Sequence, residues 1–321
     1  MAGSYRKIDY RVRPAKSIER KMLADAFRRL NHFHEVHAYT YIGMGSLYFS
    51  DFSLFHRSLG FERMISIENT TAEISKKRFL LNVPFSQIEM KFGHSNVVLQ
   101  RLDLTGPLVV WLDYDGLLDE SCLVDLKYVA KKAPSGSMLI VSANADAKSL
   151  EALVEDDEEV NDVFGVLKKL VGGDALPAGL TNADIYGARV GEILRDVVDS
   201  AVRDSVRDRN SEVQAADSFS YEQLFNFRYA DNAKMMTVGG IIFSEPDREK
   251  FERSSFGQLS FSRAGSDVYR IDPPLLTFSE MRRIDAASAE EIPDLALPTA
   301  DVDKYRATYR YFPNFVEAEV S

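Results

Sequence analysis

Two glycines and one glutamate are spaced in the sequence so that they could bind a ligand together. Gly43 and Gly45 follow the predicted buried strand 39–42, and Glu68 follows the predicted strand 63–67, roughly twenty residues further along. Glycines let a backbone approach a ligand closely, and an acid at this distance accepts hydrogen bonds from ribose hydroxyls in nucleotide-binding units. Together these residues predict an adenosine site. The glycine pair alone is equally typical of an ordinary strand-to-helix turn.

Two aspartates directly follow the clearest buried segment. Segment 107–112 is almost wholly apolar, and Asp113 and Asp115 come next. Unpaired buried carboxylates are unfavourable by several kcal/mol, so acids at this place are seldom needed for stability. We therefore expect them on the reaction side of the site. The alternative is that Asp115 caps a turn and that Asp119 or Glu120 begins the next helix.

Histidines occur in two parts of the sequence where site residues could lie. His94 and Ser95 follow the predicted strand 86–92, where ligands collect in open parallel sheets, although His94 could instead cap the following helix with Ser95. The group His32, His34 and His37 invites a metal interpretation. Only the last two would share a helix face, and no matching acid or thiol pattern follows nearby, so a structural or surface role is predicted for all three.

These residues stand between elements that alternate strictly. A helix is predicted from an N-cap at Ser17, and five strands then alternate with helices over about 105 residues, which specifies a doubly wound parallel sheet. Beyond residue 146 the alternation stops. Segment 147–217 reads as a helical insertion with a long amphipathic helix over about 188–207, followed by strands at 234–243 and 268–272 and by a capping box that begins a helix at Thr277.

Composition limits the classes of function. The 321 residues carry a formal net charge of -10, so general binding to nucleic acid is not expected. The single cysteine, Cys122, cannot form an intramolecular disulfide. No apolar run of about 18 residues and no signal-peptide pattern are present, so we expect no membrane partner and a cytoplasmic location.

Four motifs together resemble a bacterial family of proteins assigned as O-methyltransferases, within the class I methyltransferases that use S-adenosylmethionine. The motifs are YIGMGSLYF at 41–49, ISIE at 65–68, NVPF at 82–85 and WLDYD at 111–115. The resemblance covers most of the chain, from 13–16 to the C-terminal region. It implies one Rossmann-like domain with a mostly parallel seven-stranded sheet, made of an N-terminal arm and helix (1–37), a cofactor-binding half (38–146), the insertion (147–217) and C-terminal strands (218–321). The strands at 234–243 and 268–272 would form its late antiparallel pair.

The resemblance also implies roles for particular residues. Gly43 and Gly45 would approach the methionine part of the cofactor, Glu68 would hold the ribose, and the segment at His94 would border the adenine. The full set of implied cofactor-binding residues is Tyr41, Gly43, Gly45, Ser46, Glu68, Asn69, His94, Ser95, Asp113 and Tyr114. The sequence departs from the fuller glycine-rich pattern, because Tyr41 replaces the usual acid before the turn.

On the acceptor side, Asp113 and Asp115 would begin the pocket for the methyl acceptor. Methyl transfer is an in-line displacement at an activated sulfonium, and a general base is needed only when the acceptor loses a proton. Asp113 or Asp115 would serve as that base for a hydroxyl, with His94 as the other candidate catalytic residue. Arg13 and Lys16 are the predicted substrate-binding residues, folding back over the site to meet a carboxylate or phosphate; the alternative is a solvated basic arm.

Some class I O-methyltransferases hold a divalent ion, and Asp113, Asn144 and Asp146 stand in comparable places. The Asn-x-Asp spacing departs from the adjacent pair of that pattern, so no metal is predicted.

Other classes of function remain open at this stage. The sequence fingerprint of a nicotinamide-dependent oxidoreductase has a third glycine at the position of Tyr48. A noncatalytic or cofactor-binding module on the same fold is the alternative to an enzyme. The methyl acceptor, whether a small molecule or a protein side chain, is not specified by the sequence. The insertion could be a lid, the face of a homodimer or a packed helix.

Overall fold

A computed structural model describes residues 13–156, 159–231, 233–288 and 290–313 of the chain. The first twelve residues of the predicted N-terminal arm and the last eight residues of the chain lie outside these ranges.

The described residues form one eight-stranded sheet. Its strands are β1 (Thr40–Gly43), β2 (Arg63–Glu68), β3 (Ile88–Phe92), β4 (Leu108–Leu117), β5 (Ser137–Asn144), β6 (Phe219–Ala230), β7 (Lys234–Ser244) and β8 (Tyr269–Ile271). Their order across the sheet is β3-β2-β1-β4-β5-β7-β6-β8, in which β7 runs antiparallel to both of its neighbours and the other pairings are parallel. The predicted doubly wound, mostly parallel sheet is confirmed. The predicted count of seven strands is wrong, because β6, for which no strand was predicted, adds an eighth.

Helices cover both faces of this sheet, as expected where parallel strands are buried on both sides. The helices are α1 (Pro14–Arg28), α2 (Ser50–Leu59), α3 (Glu73–Asn82), α4 (Ser95–Leu99), α5 (Glu120–Lys132), α6 (Ala147–Asp156), α7 (Val163–Val171), α8 (Arg189–Asn210), α9 (Arg248–Ser254), α10 (Phe278–Ala286) and α11 (Thr299–Thr308). The core on one face contains α1, α2 and an aromatic group that includes Tyr41 and Trp111. The core on the other face contains α5, α7 and α8.

Side chains of neighbouring residues on a strand point to opposite faces, and this alternation decides where the site residues fall. On β4, Trp111 packs in the core of α1 and α2, whereas Val110 and Leu112 pack in the core of α5. Asp113 therefore belongs to the α1 face and Tyr114 to the α5 face. Both stand near the carboxyl ends of the parallel strands.

Two predictions about the elements are corrected by the structure. Helix α1 begins at Pro14 and not after Ser17, because Asp231 accepts hydrogen bonds from the amides of Ala15 and Lys16 (3.0 Å each) and so caps the helix from a distant loop. The late antiparallel pair is β6 with β7, whereas segment 268–272 contains the parallel edge strand β8.

The long helix of the predicted insertion, α8, packs on the sheet. Its apolar residues, among them Val190, Leu194 and Val197, are buried in the same core as α5. This favours the interpretation of α8 as a packed helix over a lid. Within the described ranges, no helix has both the length and the apolar composition needed to cross a bilayer.

Candidate cofactor and acceptor site

The glycine turn and Glu68 lie in direct contact. The backbone amide of Ser46 donates to Glu68 Oε1 at 2.7 Å, and the amide of Gly45 donates to Ser66 Oγ at 3.1 Å. The parallel pairing of β1 with β2 explains this contact, because it brings the carboxyl ends of both strands to one edge of the sheet. The predicted convergence of the turn and the acid is therefore present in the fold.

The two glycines have a reason within the protein itself. A Cβ atom on Gly43 would lie 2.7 Å from the hydroxyl oxygen of Tyr41, and a Cβ on Gly45 would lie 2.6 Å from the ring of Phe49. Real Cβ contacts are essentially never below 3.0 Å. Packing against the protein's own aromatic rings therefore already requires both glycines, and close approach to a ligand is not needed to explain them.

Tyr41 is directed into this aromatic packing. Its side chain is fully buried, its hydroxyl donates to Asp51 Oδ2 at 2.6 Å, and its ring contacts Phe52 and Phe55 edge to face. Burial, and next the carboxyl group of Asp51, raise the pKa of Tyr41 well above its ordinary value. Only the backbone of Tyr41 is left for the predicted contact with a cofactor.

The carboxyl group of Glu68 is electrostatically unusual. Burial raises its pKa to about 8; the hydrogen bond from the Ser46 amide opposes this rise, and the nearby Asp115 adds to it. Among the described residues, Ser46 is the one hydrogen-bond partner of this carboxyl, which leaves Oε2 for a ligand. A ribose hydroxyl is a donor of the kind that this oxygen accepts.

The predicted adenine-side residues gather where β2, β3 and β4 end. Asn69 Nδ2 lies 3.3 Å from His94 Nδ1, and both side chains are exposed. His94 stands at the N-cap position of α4, but its side chain makes no capping hydrogen bond, so the alternative role as a side-chain cap is not observed. An exposed imidazole and amide side by side could accept from and donate to the edge of a base.

Tyr114 belongs to a second polar group on the α5 face. Its hydroxyl donates to Asp125 Oδ2 at 2.6 Å, and the nearby Ser95 acts to lower the pKa of both groups. Burial raises the pKa of Asp125, while its bonds with Ser95 and Tyr114 oppose the rise. Asp125 was not predicted from the sequence. In its place on α5 it looks like an ordinary helix residue, and only the fold brings it to Tyr114.

Asp113 is held by a buried ammonium group. Lys16 Nζ lies 2.7 Å from Asp113 Oδ1, 2.8 Å from Glu19 Oε2 and 3.0 Å from the Tyr229 hydroxyl, and it lies 4.3 Å from the centre of the Trp111 ring. Burial opposes the charge of Lys16, but the carboxylates of Asp113 and Glu19 outweigh it and raise the pKa of Lys16 above its ordinary value. The ion pair connects α1 to the end of β4.

Arg13 and Lys16 thus do meet carboxylates, but those carboxylates belong to the protein. Arg13 Nε lies 3.5 Å from Asp231 Oδ2, in the loop between β6 and β7. Glu19, Tyr229 and Asp231 are site residues that the sequence analysis missed. The spacing of three between Lys16 and Glu19 within one helix was the only local signal available.

The remaining acids of the β4 end differ from one another. Asp115 is exposed and close enough to Glu68 to raise its pKa. Asp119 is the N-cap of α5 and accepts a hydrogen bond from the amide of Cys122 at 2.9 Å. The part of the alternative interpretation that assigned the helix start to Asp119 is therefore confirmed.

The candidate metal ligands Asp113, Asn144 and Asp146 contact different groups of the protein. Asn144 donates to Ser149 Oγ and accepts from the Asp146 amide, and Asp146 lies 3.6 Å from Lys234 Nζ. Asp113 is paired with Lys16 as described. Among the described residues, no group of three or more His, Cys, Asp or Glu side chains is arranged to hold a metal ion. Of the three histidines, His37 lies 3.3 Å from Glu35 and His34 packs edge to face on Tyr39.

The strand order, the antiparallel β7 and the turn joined to Glu68 define the fold of a class I methyltransferase. The sequence model of a protein family described as "Putative O-methyltransferase" matches residues 8–320, so the chain belongs to this family. The predicted resemblance to this family is thereby confirmed.

Individual relatives are more distant. Seventy residues are 40% identical to "Uncharacterized ATP-binding protein MJ0685" of Methanocaldococcus jannaschii, which is 22% of this chain and 27% of that protein. Among solved structures, the O-methyltransferase TomG of Streptomyces achromogenes in complex with SAM is 14% identical, with 69% of this chain and 78% of that chain covered and a TM-score of 0.35. The mitomycin 7-O-methyltransferase MmcR is 15% identical, with 66% and 53% covered and a TM-score of 0.35. Similarities at these levels add nothing to the argument from the family.

Proposed function

We propose that the protein is an S-adenosylmethionine-dependent methyltransferase that transfers a methyl group to an oxygen atom of a small molecule or a protein side chain. The observation that carries the proposal is the 2.7 Å contact between the Ser46 amide and Glu68, which unites the glycine turn with the acid of the neighbouring strand. Membership of the O-methyltransferase family supports the reaction class. The net charge of -10 favours such acceptors over nucleic acid.

The residues of the site would contact different parts of the cofactor. Glu68 would accept hydrogen bonds from the ribose, and Asn69, His94 and Ser95 would contact the adenine. The bound cofactor would supply the activated methyl group. The backbone of the turn at 43–46 would line the path from β2 to β4, with Asp113 at its far end.

Asp115 is the residue that we assign to the acceptor. It is exposed at the end of β4, on the same edge as Glu68, whereas Asp113 is occupied by Lys16. A carboxylate there can orient an acceptor hydroxyl and take its proton as the new carbon–oxygen bond forms. His94 is a second base candidate, since its ring is exposed beside Asn69.

The test combines binding and transfer. Calorimetry should detect binding of S-adenosylhomocysteine and none of NAD. Radiolabelled S-adenosylmethionine with a metabolite extract or a protein lysate should yield labelled products, and the Asp115→Asn variant should lower the yield by about 10²-fold or more while it still binds S-adenosylhomocysteine. NAD binding without S-adenosylhomocysteine binding would refute the proposal. Cofactor binding without any labelled product would favour a noncatalytic module.

A homodimer is proposed as well, and light scattering of the purified chain distinguishes it from a monomer. We also propose a cytoplasmic location, which fractionation of the source cell tests.

A further inference from the structure

We propose that β3, a strand at the edge of the sheet, pairs with β3 of a second copy of this chain across a two-fold axis at Met90. The inference rests on the homodimer in the proposed function and adds to it the surface by which two copies meet. It does not depend on the identity of the cofactor or of the methyl acceptor.

The first argument is the open backbone of β3. Among the described strands, β3 pairs with β2 alone, in parallel. The carbonyl of Gln87 accepts from an amide of β2, and the amide of Gly93 donates to a carbonyl of β2. Because successive residues direct their backbone groups to opposite sides of a strand, the two odd-numbered residues between them also face β2, whereas Met90 and Phe92 face away. The N–H and C=O groups of these two residues are therefore available to another strand.

The second argument is the order of charges along this strand. Glu89 and Lys91 stand on either side of Met90, and both side chains are partly exposed. In an antiparallel pair centred on Met90, Glu89 of each copy lies opposite Lys91 of the other. A centre one residue away in either direction would instead place two glutamates or two lysines opposite each other. Charged residues at a sheet edge normally prevent pairing, but this pattern favours one register.

The backbone of β3 favours the same register. At the two-fold axis, Met90 of each copy would donate to and accept from Met90 of the other, as in a hydrogen-bonded pair of an antiparallel ladder. Glu89 and Lys91, whose backbone groups face β2, would then form the non-hydrogen-bonded pairs, in which side chains are closest. The backbone and the charges therefore agree on Met90 as the centre.

The third argument is the apolar surface of α3, which lies beside β3. Phe79 of α3 packs near Phe92 with ring centres 6.3 Å apart, so α3 covers the face of the sheet to which Phe92 points. Ile74 and Leu81 lie about two turns apart on one side of this helix, and they are 76% and 84% exposed. Pairing of β3 with its copy would bring the two α3 helices together on that face, where removing these side chains from water favours association.

An anionic membrane is the other surface that Ile74 and Leu81 could meet, because Lys77 and Arg78 lie between them on α3. The second copy is favoured for two reasons. A lipid surface offers no strand to which the outward backbone groups of β3 can bond. The formal net charge of -10 also opposes the approach of the chain to anionic lipid.

The test measures the dissociation constant of the dimer by sedimentation equilibrium. Lys91→Glu and Glu89→Lys each place like charges opposite one another on both sides of the two-fold axis, so each should raise the dissociation constant about tenfold or more. The double variant Glu89→Lys/Lys91→Glu restores opposite charges and should return it to within about threefold of the wild-type value. A mixture of the two single variants should form the heterodimer. This last result distinguishes a contact between copies from the ion pair that Lys91 and Glu89 form within one chain at 2.5 Å.

Two matched controls locate the effect. Asp204→Lys reverses a charge in the exposed ion pair with Arg207 on α8, and it should leave the dissociation constant within about twofold. Leu81→Glu should raise the constant about tenfold or more, because it brings a charge into the apolar contact between the α3 helices. Leu275→Glu should not, since Leu275 is 98% exposed and follows β8, at the opposite edge of the sheet. Circular dichroism checks that each variant is folded, and Leu81→Glu tests the surface independently of the charge variants.

The inference would be overturned by an unchanged dissociation constant in the charge variants and in Leu81→Glu, by the absence of a heterodimer in the mixture, or by an equal loss of affinity in the two controls. A wild-type protein that is monomeric at every concentration would refute the homodimer and this surface together. Binding of that monomer to phosphatidylserine vesicles, lost in Leu81→Glu, would assign the surface to a membrane. Failure to bind S-adenosylhomocysteine in calorimetry would refute the proposed methyl transfer alone, because sedimentation reports the contact between copies without it.

Discussion

Lowering the pH from 9 to 6 should weaken the binding of 5′-deoxy-5′-methylthioadenosine, because the ionised Glu68 carboxylate accepts hydrogen bonds from a ribose hydroxyl and the Ser46 amide more strongly than the neutral acid does. Burial raises the pKa of Glu68 to about 8, so in the free protein its carboxyl is mostly neutral at pH 7. The sign follows from the direction of this shift. A ligand that requires the carboxylate binds more tightly as the pH rises toward 8, and its affinity levels off above that value.

The size of the effect follows from the ionised fraction. With a pKa of about 8, roughly 1% of Glu68 is ionised at pH 6, roughly 9% at pH 7 and roughly 91% at pH 9. If only the ionised form binds, the apparent affinity changes about 90-fold between pH 6 and pH 9, or about 2.7 kcal/mol. Methylthioadenosine is the suitable probe, because it has no amino or carboxyl group that would titrate over this range.

The assay is calorimetry at pH 6, 7, 8 and 9 on the wild-type protein and on Glu68→Gln, with circular dichroism to check folding at each pH. The glutamine variant cannot ionise, so its affinity should be independent of pH and about ten- to hundredfold below that of the wild-type protein at pH 9. A flat wild-type profile, or the same slope in Glu68→Gln, would refute the reasoning about Glu68.

Two further predictions concern stability and are measured by urea unfolding. Lys16→Met should lower the free energy of unfolding by about 3–5 kcal/mol, because it leaves Glu19 and Asp113 without their shared cation. The control variant Lys21→Met, on the same helix, should lower it by less than about 1 kcal/mol. Similar values for the two variants would contradict the buried ion pair. Gly45→Ala should lower the free energy of unfolding by about 1–3 kcal/mol, because the added Cβ would meet the Phe49 ring. Gly116→Ala is the control, because nothing lies within 4 Å of a Cβ at that position. Equal effects of the two substitutions would show that the packing at Gly45 is not as described.

The sheet could be predicted because its signals are local. Strands β4 and β5 contain the continuous apolar runs 108–112 and 138–141, and the turns between elements carry glycine or acidic residues. Strand β6 was not predicted, since Gln223 and Asn226 interrupt its apolar pattern. Both are buried, and their side-chain amides donate to backbone carbonyls of residues 263–267, about forty positions away. No local pattern shows that those polar groups are satisfied.

The candidate site divides in the same way. The turn and Glu68 follow from spacing along neighbouring strands, and their contact is present in the fold. Lys16 and Asp113 are 97 positions apart, and Lys16 and Tyr229 are 213 apart, so only the packing of α1 on the sheet brings them together. The packing reason for Gly43 and Gly45 also depends on where the Tyr41 and Phe49 rings lie, which the sequence does not specify.

The most direct test of the account is a crystal structure of the protein with S-adenosylhomocysteine. We predict a ribose hydroxyl within about 3 Å of the Glu68 carboxylate and the aliphatic chain lying over the turn at 43–46. A ligand bound at another edge of the sheet, or bound here with its ribose away from Glu68, would contradict the account.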